Sequence, residues 1–197
     1  MRGRAHPITV PPLTTEVSLP GGQNRLRQII LYVAMRCERA ERFGLVKLNK
    51  IIWKADFSSF AARNLPITGR KYQKLKLGPA PKEMLPLLKE MERFGLITLD
   101  TVIFPNGKKE VRVHGIVPPN LDNFTQSDMR FVESAIVYYW YKTGTEASDE
   151  SHGIAWRARK MKSLMPYELA YVSDDPISNE EKEDIMKVLR DRKSIAA

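Results

Sequence analysis

The sequence predicts a mainly α-helical α+β fold, a single domain of about six to seven helices with one small antiparallel β-hairpin. Three observations lead to this prediction. Apolar residues recur at the 3.6-residue period of helices in several segments, and one segment near residue 100 alternates with the period of two that strands require. The third observation is the length of 197 residues, which suffices for one buried core.

The domain is expected to span residues 23–195. Residues 1–22 contain four prolines and three glycines and show no sustained period, so they are predicted to form a flexible N-terminal tail. At the other end, a charged segment from Ser178 has acidic residues before basic ones, which matches the polarity of a helix dipole. No internal repeat or low-complexity run divides the chain further.

Two helices are predicted at the start of the domain. Asn24 can cap the first, whose apolar stripe continues until Gly44. The second is expected over residues 46–63, where Asp56 lies among apolar neighbours. A carboxylate in such a place must be solvated or hydrogen-bonded. Replacing Asp56 by alanine is expected to cost about 1 to 3 kcal/mol if it anchors a buried network, and less than about 0.5 kcal/mol if it lies on the surface.

Residues 64–81 carry turn residues at both ends of a short predicted strand, so they are expected to form a fixed loop between helices. Five cations and no acid occur from Arg70 to Lys82. Two interpretations are open at this point. The loop binds an acidic partner or a phosphate backbone, or it is a solvated connector.

A short third helix and a hairpin follow the loop. Pro81 and Pro86 both suit the first turn of this helix, which is expected to end at Gly95. The next residues alternate between apolar and polar on both sides of Asn106-Gly107, a dipeptide typical of a type I′ turn. This pattern predicts an antiparallel β-hairpin.

Two more helices are predicted after the hairpin. Thr125 and Asp128 form a capping box that opens the fourth helix, which is apolar on most sides and therefore expected to be central in the core. Gly144 is expected to end it. A fifth helix is predicted to contain both His152 and Trp156.

Composition limits the classes of partner and compartment. Lysine and arginine exceed aspartate and glutamate by 32 to 23, a net charge of +9 that favours anionic partners. Cys37 is the single cysteine, so no internal disulfide forms and a cytoplasmic location is expected. The N-terminus lacks the apolar run of a signal peptide, and no apolar stretch of about eighteen residues predicts a membrane span.

No catalytic, metal or cofactor site is predicted. His6, His114 and His152 lie far apart in sequence, and no phosphate-binding glycine motif or nucleophile elbow occurs. Ser151 precedes His152 directly, but adjacent residues on a helix point about 100° apart. This pair is therefore interpreted as packing or capping.

A DNA-binding alternative rests on the third helix and the hairpin, which together resemble a winged helix with Lys108 and Lys109 at the wing tip. Two features argue against it. A helix-turn-helix joins its helices by about three or four residues, whereas the loop from Asn64 to Pro81 is much longer. The third helix also carries Glu90 and other residues unsuited to phosphate contact.

Several short motifs, in order, resemble the Panacea domain, the SocA-like antitoxin family that includes phage-associated proteins. They are KLNKIIWKADF at residues 47–57, ITG at 67–69, LGPAP at 77–81 and EASDESH at 146–152 with Trp156. The marked positions of the family correspond here to Lys50, Asp56, Gly69, Tyr72, Gly78, Pro79, Ser151, His152 and Trp156.

This resemblance implies a non-enzymatic antitoxin that binds and neutralises a protein toxin encoded beside it. It also implies a possible second partner, since one family member delivers its toxin to a cytosolic protease. A DNA-binding regulator remains the alternative function, and no membrane partner is expected.

Two interpretations of the marked residues remain open. In one, they hold the fold and other surface binds the partner. In the sharper one, the docking face consists of Arg70, Lys71, Tyr72, Lys74 and Lys76. The sharper interpretation predicts that reversing Lys71, Lys74 and Lys76 to glutamate abolishes toxin binding while leaving the melting temperature almost unchanged.

Overall fold

The structure is a computed structural model that describes residues 12–172 and the single positions 174 and 183. Within these residues the chain forms six α-helices and two small antiparallel sheets, which confirms the mainly helical α+β prediction. The helices are α1 (Asn24–Arg36), α2 (Leu45–Arg63), α3 (Met84–Arg93), α4 (Gln126–Tyr139), α5 (Gly144–Glu150) and α6 (Ile154–Arg157). The strands are β1 (Tyr72–Leu75), β2 (Gly78–Pro81), β3 (Ile97–Ile103), β4 (Lys109–Gly115) and β5 (Leu164–Met165), followed by a 3-10 helix (Tyr167–Tyr171).

The central helix is α2, not α4 as its apolar composition predicts. Helices α1, α4 and α5, strand β2 and the 3-10 helix all pack against α2, and its buried side chains lie on more than one face. By contrast, Val137 and Tyr138 near the end of α4 are 71% and 44% exposed, and Tyr141 just beyond it is 91% exposed. Only one side of α4 meets the core, which composition alone does not reveal.

The two sheets lie on different parts of the helical core. One has the strand order β2-β1-β5, and the other is the β3–β4 hairpin. The second sheet confirms the predicted hairpin, with Ile97 paired to Gly115 and Ile103 to Lys109. Its turn is not type I′, because only Gly107 has a positive φ (77°) and Asn106 does not. The proline before Asn106 favours a type I turn, which needs a negative φ at that position.

Three predicted helix boundaries are wrong. The first helix ends at Arg36 rather than Gly44, although tight turns continue its apolar period as far as Ala40. Pro81 belongs to β2 and not to the third helix. Gly144 begins α5, where Thr143 and Glu146 form a second capping box.

The predicted helix containing both His152 and Trp156 is also divided. It consists of α5 and α6, separated at residues 151–153. Gly153 is extended there as the N-cap of α6. The carboxylate of Asp174 lies beside this glycine and accepts from the amide of Ile154, the first residue of α6, over 2.5 Å.

The part of the N-terminal segment that the structure describes, residues 12–22, lies against the domain, whereas a flexible tail is what its composition predicts. The amide of Val17 donates to the carbonyl of Gly69 over 2.9 Å, and the amide of Tyr167 donates to the carbonyl of Thr14 over 2.8 Å. These contacts tie the segment to the loop and to the 3-10 helix. Residues 1–11 and the charged segment from Ser178 lie outside the described residues, apart from position 183.

Candidate functional site

The segment at residues 67–81, called the 67–81 loop below, contains the β1–β2 hairpin and lies across α2. Its register pairs Tyr72 with Pro81 and Leu75 with Gly78, while β5 pairs with the other edge of β1. Two charged side chains of α2 contact the loop and are almost completely buried. They anchor its two ends in different ways.

The first anchor is Asp56, which is 0% exposed. One carboxylate oxygen accepts from the amides of Ile67 and Thr68, each over 2.7 Å. The other accepts from the hydroxyl of Tyr72 over 2.7 Å and from the hydroxyl of Thr68. A carboxylate offers about four acceptor positions, so all of them are used.

The ionisation of Asp56 reflects two opposing causes. Burial raises the pKa of its carboxyl group, while the hydrogen bonds from Thr68, Tyr72 and Ile67 lower it in part. Burial also raises the pKa of Tyr72, assisted by the nearby Asp56. The tyrosine therefore stays a neutral donor to the carboxylate.

Arg25 supports the same end of the loop, a role that sequence reasoning missed. It is 4% exposed, and its Nε donates to the carbonyl of Ile67 over 2.5 Å. Its guanidinium also pairs with Asp128 over 3.3 Å and lies 4.2 Å from the centroid of the Phe124 ring. The available signal was its position four residues before Ile29 on the core stripe of α1. Burial is the largest influence on Arg25 and lowers its pKa, which Asp128 partly offsets.

Asp128 also serves the capping box that the sequence predicts. Its amide donates to Oγ1 of Thr125 over 3.1 Å, and its carboxylate accepts from the amide of Thr125 over 2.9 Å. The same carboxylate pairs with Arg63 of α2. The cap of α4 is thereby joined to the end of α2 and to Arg25.

The second anchor is Lys50, which is 1% exposed. Its ammonium donates to the carbonyl of Pro79 over 2.8 Å, and burial lowers its pKa to about 7. Gly78 lies directly above with φ = +94°, and a Cβ there would stand 2.0 Å from Oγ of Ser151 and 2.5 Å from Nζ of Lys50. This close approach requires glycine at position 78.

Ser151 and Lys50 are therefore covered by main chain. Oγ of Ser151 donates to the carbonyl of Ser148 over 2.6 Å, which completes the end of α5. Ser151 is 2% exposed. Both side chains serve the packing of α2, α5 and the β1–β2 turn.

Trp156 stacks between two predicted site residues. Its ring lies 3.9 Å from that of His152 between centroids, at an angle of 22°, and Nζ of Lys74 lies 3.8 Å from its centroid. The indole donates to the carbonyl of Leu75 over 3.1 Å, while Lys74 donates to the carbonyl of Arg159 over 2.7 Å. This stack fastens α6 to the outer side of the β1–β2 hairpin.

One ring nitrogen of His152 makes no hydrogen bond within the part of the chain that the structure describes. This nitrogen, Nε2, is buried. Burial lowers the pKa of His152, and the charge of nearby Lys50 acts in the same direction. The ring is also stacked on that of Trp156.

The five residues predicted to form the docking face differ in how accessible their side chains are to a partner. Arg70 pairs with Glu83 and, over 3.2 Å, with Glu16, and Lys71 pairs with Glu16 over 2.9 Å. Tyr72 and Lys74 are 1% and 7% exposed, so their side chains are internal. Lys76 at the β1–β2 turn is exposed and Lys71 is partly exposed.

The burial of Lys74 changes the result expected for the charge-reversal experiment that the sequence suggested. A glutamate at position 74 would lose the contacts with Trp156 and Arg159 that a buried lysine makes. We therefore expect the triple reversal of Lys71, Lys74 and Lys76 to lower the melting temperature. It would not separate binding from folding.

A large groove of about 910 Å³ lies beside the β1–β2 turn. We call it the basic groove, after the exposed cations along it, which are Arg42, Lys76, Lys82, Lys108 and Lys109. Its walls are the start of α2, the β1–β2 hairpin, the start of α3, the β3–β4 turn and α5. Sequence reasoning did not predict it, because these elements are far apart along the chain.

The β3–β4 turn is part of this groove and not a free wing. Nζ of Lys108 donates to Oγ1 of Thr145 in α5 over 2.8 Å. Lys109, the other cation of the predicted wing tip, also lines the groove. The hairpin thus folds toward the protein's own helices, which weakens the winged-helix interpretation.

In the residues that the structure describes, no group of three or more histidine, cysteine, aspartate or glutamate side chains is placed to hold a metal ion. In the same residues, no helix is both long and apolar enough to cross a membrane.

Comparison with known proteins gives one match. The family described as antitoxin SocA-like, Panacea domain, matches residues 48–157, more than half of the chain. The matched range includes α2 from its first turn, the 67–81 loop, both hairpins and the stack on Trp156. Neither the search of curated proteins nor the search of solved structures found a match.

Proposed function

The chain belongs to the SocA-like antitoxin family of Panacea domains, and from this premise we propose that it binds and neutralises a cognate protein toxin in the cytoplasm. The observation that carries the proposal is the family match over residues 48–157. That range contains the two buried anchors, Asp56 and Lys50, and every contact they make with the 67–81 loop. A rigid loop of this kind suits recognition of a macromolecular surface, because little conformational entropy is lost on binding.

The state of the buried polar groups supports a binding role over catalysis. Asp56, Lys50 and Ser151 carry groups that enzymes often use, and all three make hydrogen bonds within the chain. Gly78 lies so close to Lys50 and Ser151 that a Cβ at this position would meet both side chains. The match to the antitoxin family supports the same role.

The toxin encoded by the adjacent reading frame is the partner to test. We expect its expression alone to stop growth, and co-expression with this chain to restore growth. The two proteins should also co-elute in size-exclusion chromatography. If the adjacent product is not toxic, or if growth returns without a complex, the proposal fails.

Neutralisation by delivery to a cytosolic protease is a finer form of the same proposal. The half-life of the toxin after protein synthesis is stopped separates the two routes. Occlusion leaves the toxin long-lived in complex with the antitoxin, whereas delivery shortens its half-life. Purified components without protease should neutralise the toxin only if occlusion is sufficient.

A further inference from the structure

The basic groove has an apolar surface bordered by cations. Leu77 and Leu85 line it and are 53% and 60% exposed. Phe104, which is partly exposed, and the buried Met84 also line the groove. Exposed apolar surface with a polar rim marks places where partners bind.

The charges of the groove favour an anionic occupant. Its five exposed cations come from four separate segments of the chain, and the acidic residues along it are Glu110 and Asp149. Glu110 is paired with Arg112 over 3.3 Å, which reduces its effect on the groove. The groove therefore has a positive potential that attracts carboxylates.

The buried cations beneath the groove are not available to a small ligand. Lys47 donates to the carbonyl of Trp140 over 2.7 Å, and Lys50 donates to that of Pro79 over 2.8 Å. A small-molecule site usually directs a few polar groups inward from its floor. Here the exposed cations accompany a lining that is largely apolar.

This arrangement fits a peptide segment better than a nucleic acid. An amphipathic helix or strand places apolar side chains in a groove and polar ones at its edges. Phosphate backbones are instead bound chiefly by cations that neutralise their charge, a contact to which exposed leucines add little. Charge and apolar surface together therefore point to a protein segment.

We infer that the basic groove receives an acidic amphipathic segment of the toxin, with apolar side chains toward Leu77 and Leu85 and carboxylates toward Lys76, Lys82 and Lys109. This inference rests on the proposed function. It names the part of the surface that recognises the toxin and the chemistry of the segment recognised.

The first experiment compares two triple charge reversals of equal net charge. The groove variant carries Lys76→Glu, Lys82→Glu and Lys109→Glu. The matched control carries Arg130→Glu, Lys160→Glu and Lys162→Glu at exposed positions outside the groove. Both are mixed with the toxin of the adjacent reading frame, and the dissociation constant is measured by calorimetry.

We expect the groove variant to bind about 100-fold more weakly, because its glutamates would face the carboxylates of the toxin. The control should change binding by no more than about threefold. Melting temperatures measured beside the binding data show whether each variant is folded. Equal binding by the two folded variants overturns the inference but leaves the proposed function standing, since wild-type neutralisation is unaffected.

The second experiment locates the contact. A photo-crosslinking amino acid replaces Leu77 in the groove or Tyr141, which is 91% exposed and does not line the groove. We expect Leu77 to crosslink to a toxin peptide rich in aspartate or glutamate. A crosslink only from Tyr141, or a crosslink to a peptide without acids, contradicts the inference.

Two other occupants would give different results. A fluorescein-labelled DNA duplex that binds the wild type but not the groove variant, with affinity that falls steeply as salt rises, would assign the groove to nucleic acid and overturn the inference. A crosslink from Leu77 to a second copy of this chain, in the presence of toxin, would assign it to self-association and also overturn it.

Discussion

The two ends of the 67–81 loop are held by buried side chains of opposite charge. The two charges differ in how many hydrogen bonds each of them makes. At one end Asp56 accepts four hydrogen bonds, so the cost of burying its charge is offset by groups already present in the loop. At the other end Lys50 makes one hydrogen bond, to Pro79, and its pKa falls to about 7. Two charged side chains that are equally buried can therefore differ in how far hydrogen bonds offset the cost of burying the charge.

The comparison also separates two kinds of constraint on the loop. Near Asp56 the loop supplies donors, so its backbone direction is determined by hydrogen bonds. Near Lys50 the loop supplies one carbonyl and a glycine. The constraint there is the lack of space for a side chain at position 78. We expect substitutions at the first end to act through unpaired polar groups, and those at the second through collision and protonation.

The largest effect is expected for Asp56→Ala. It would leave two amides and two hydroxyls without their acceptor in a fully buried site, with a loss of about 4 kcal/mol in the free energy of unfolding. This exceeds the range expected from the sequence because four donors depend on one carboxylate. Chemical denaturation measures the change.

Asp56→Asn is the matched control for that variant. Its amide oxygen can still accept from the two backbone amides, and its NH₂ group can donate to hydroxyls that rotate. We expect a loss of about half that of alanine. Equal losses for the two variants would show that the negative charge of Asp56, and not its shape or the hydrogen bonds that an amide can keep, is what stabilises the fold.

The next effect is expected for Gly78→Ala, with a loss of about 2 to 3 kcal/mol in the free energy of unfolding. The new methyl group would meet Ser151 and Lys50 at a backbone with φ = +94°. Gly95 provides the control, since its φ is +68° and no atom lies within 4 Å of its Cβ position. Gly95→Ala should lose only about 1 kcal/mol, the cost of the backbone conformation alone. Similar values for both glycines would exclude a steric role for Lys50 and Ser151.

Lys50 imposes a pH dependence, which is the smallest effect when it is taken over one pH unit. Its folded pKa of about 7 lies below its unfolded value of 10.5, so the unfolded state holds more protons between these values. Stability should therefore rise with pH across this window, by at most about 1.4 kcal/mol per pH unit. Lys50→Met should remove this contribution, and denaturation of both proteins from pH 7 to about 9 measures it. Parallel profiles would indicate that Lys50 keeps its proton when folded.

Local sequence rules predicted the elements whose stabilising contacts are close in the chain. The β3–β4 hairpin follows from alternation on both sides of Asn106-Gly107, and the cap of α4 follows from Thr125 and Asp128. The type of turn was wrong because Pro105 imposes its own backbone geometry. The division between α5 and α6 was missed because the sequence pattern does not show that the amide of Ile154 meets a distant acceptor, Asp174.

The need for a partner at Asp56 was also visible in the sequence, but the identity of that partner was not. Its donors come from Ile67, Thr68 and Tyr72, which reach it only when the loop folds back over α2. Arg25 was missed for a similar reason. A cation on a core stripe predicts some acceptor, and only the packed structure shows that it is the carbonyl of Ile67.

The sequence by itself determined that this is a mainly helical α+β protein with a hairpin, a basic charge and the motifs of the Panacea family. The tertiary structure decided which cations of the 67–81 loop are internal and which are exposed, and it created the basic groove from segments distant in sequence. The physical reason is the distance along the chain over which each effect acts. Periodicity, caps and turns act between residues a few positions apart, whereas burial and electric potential at a side chain depend on every element that packs around it.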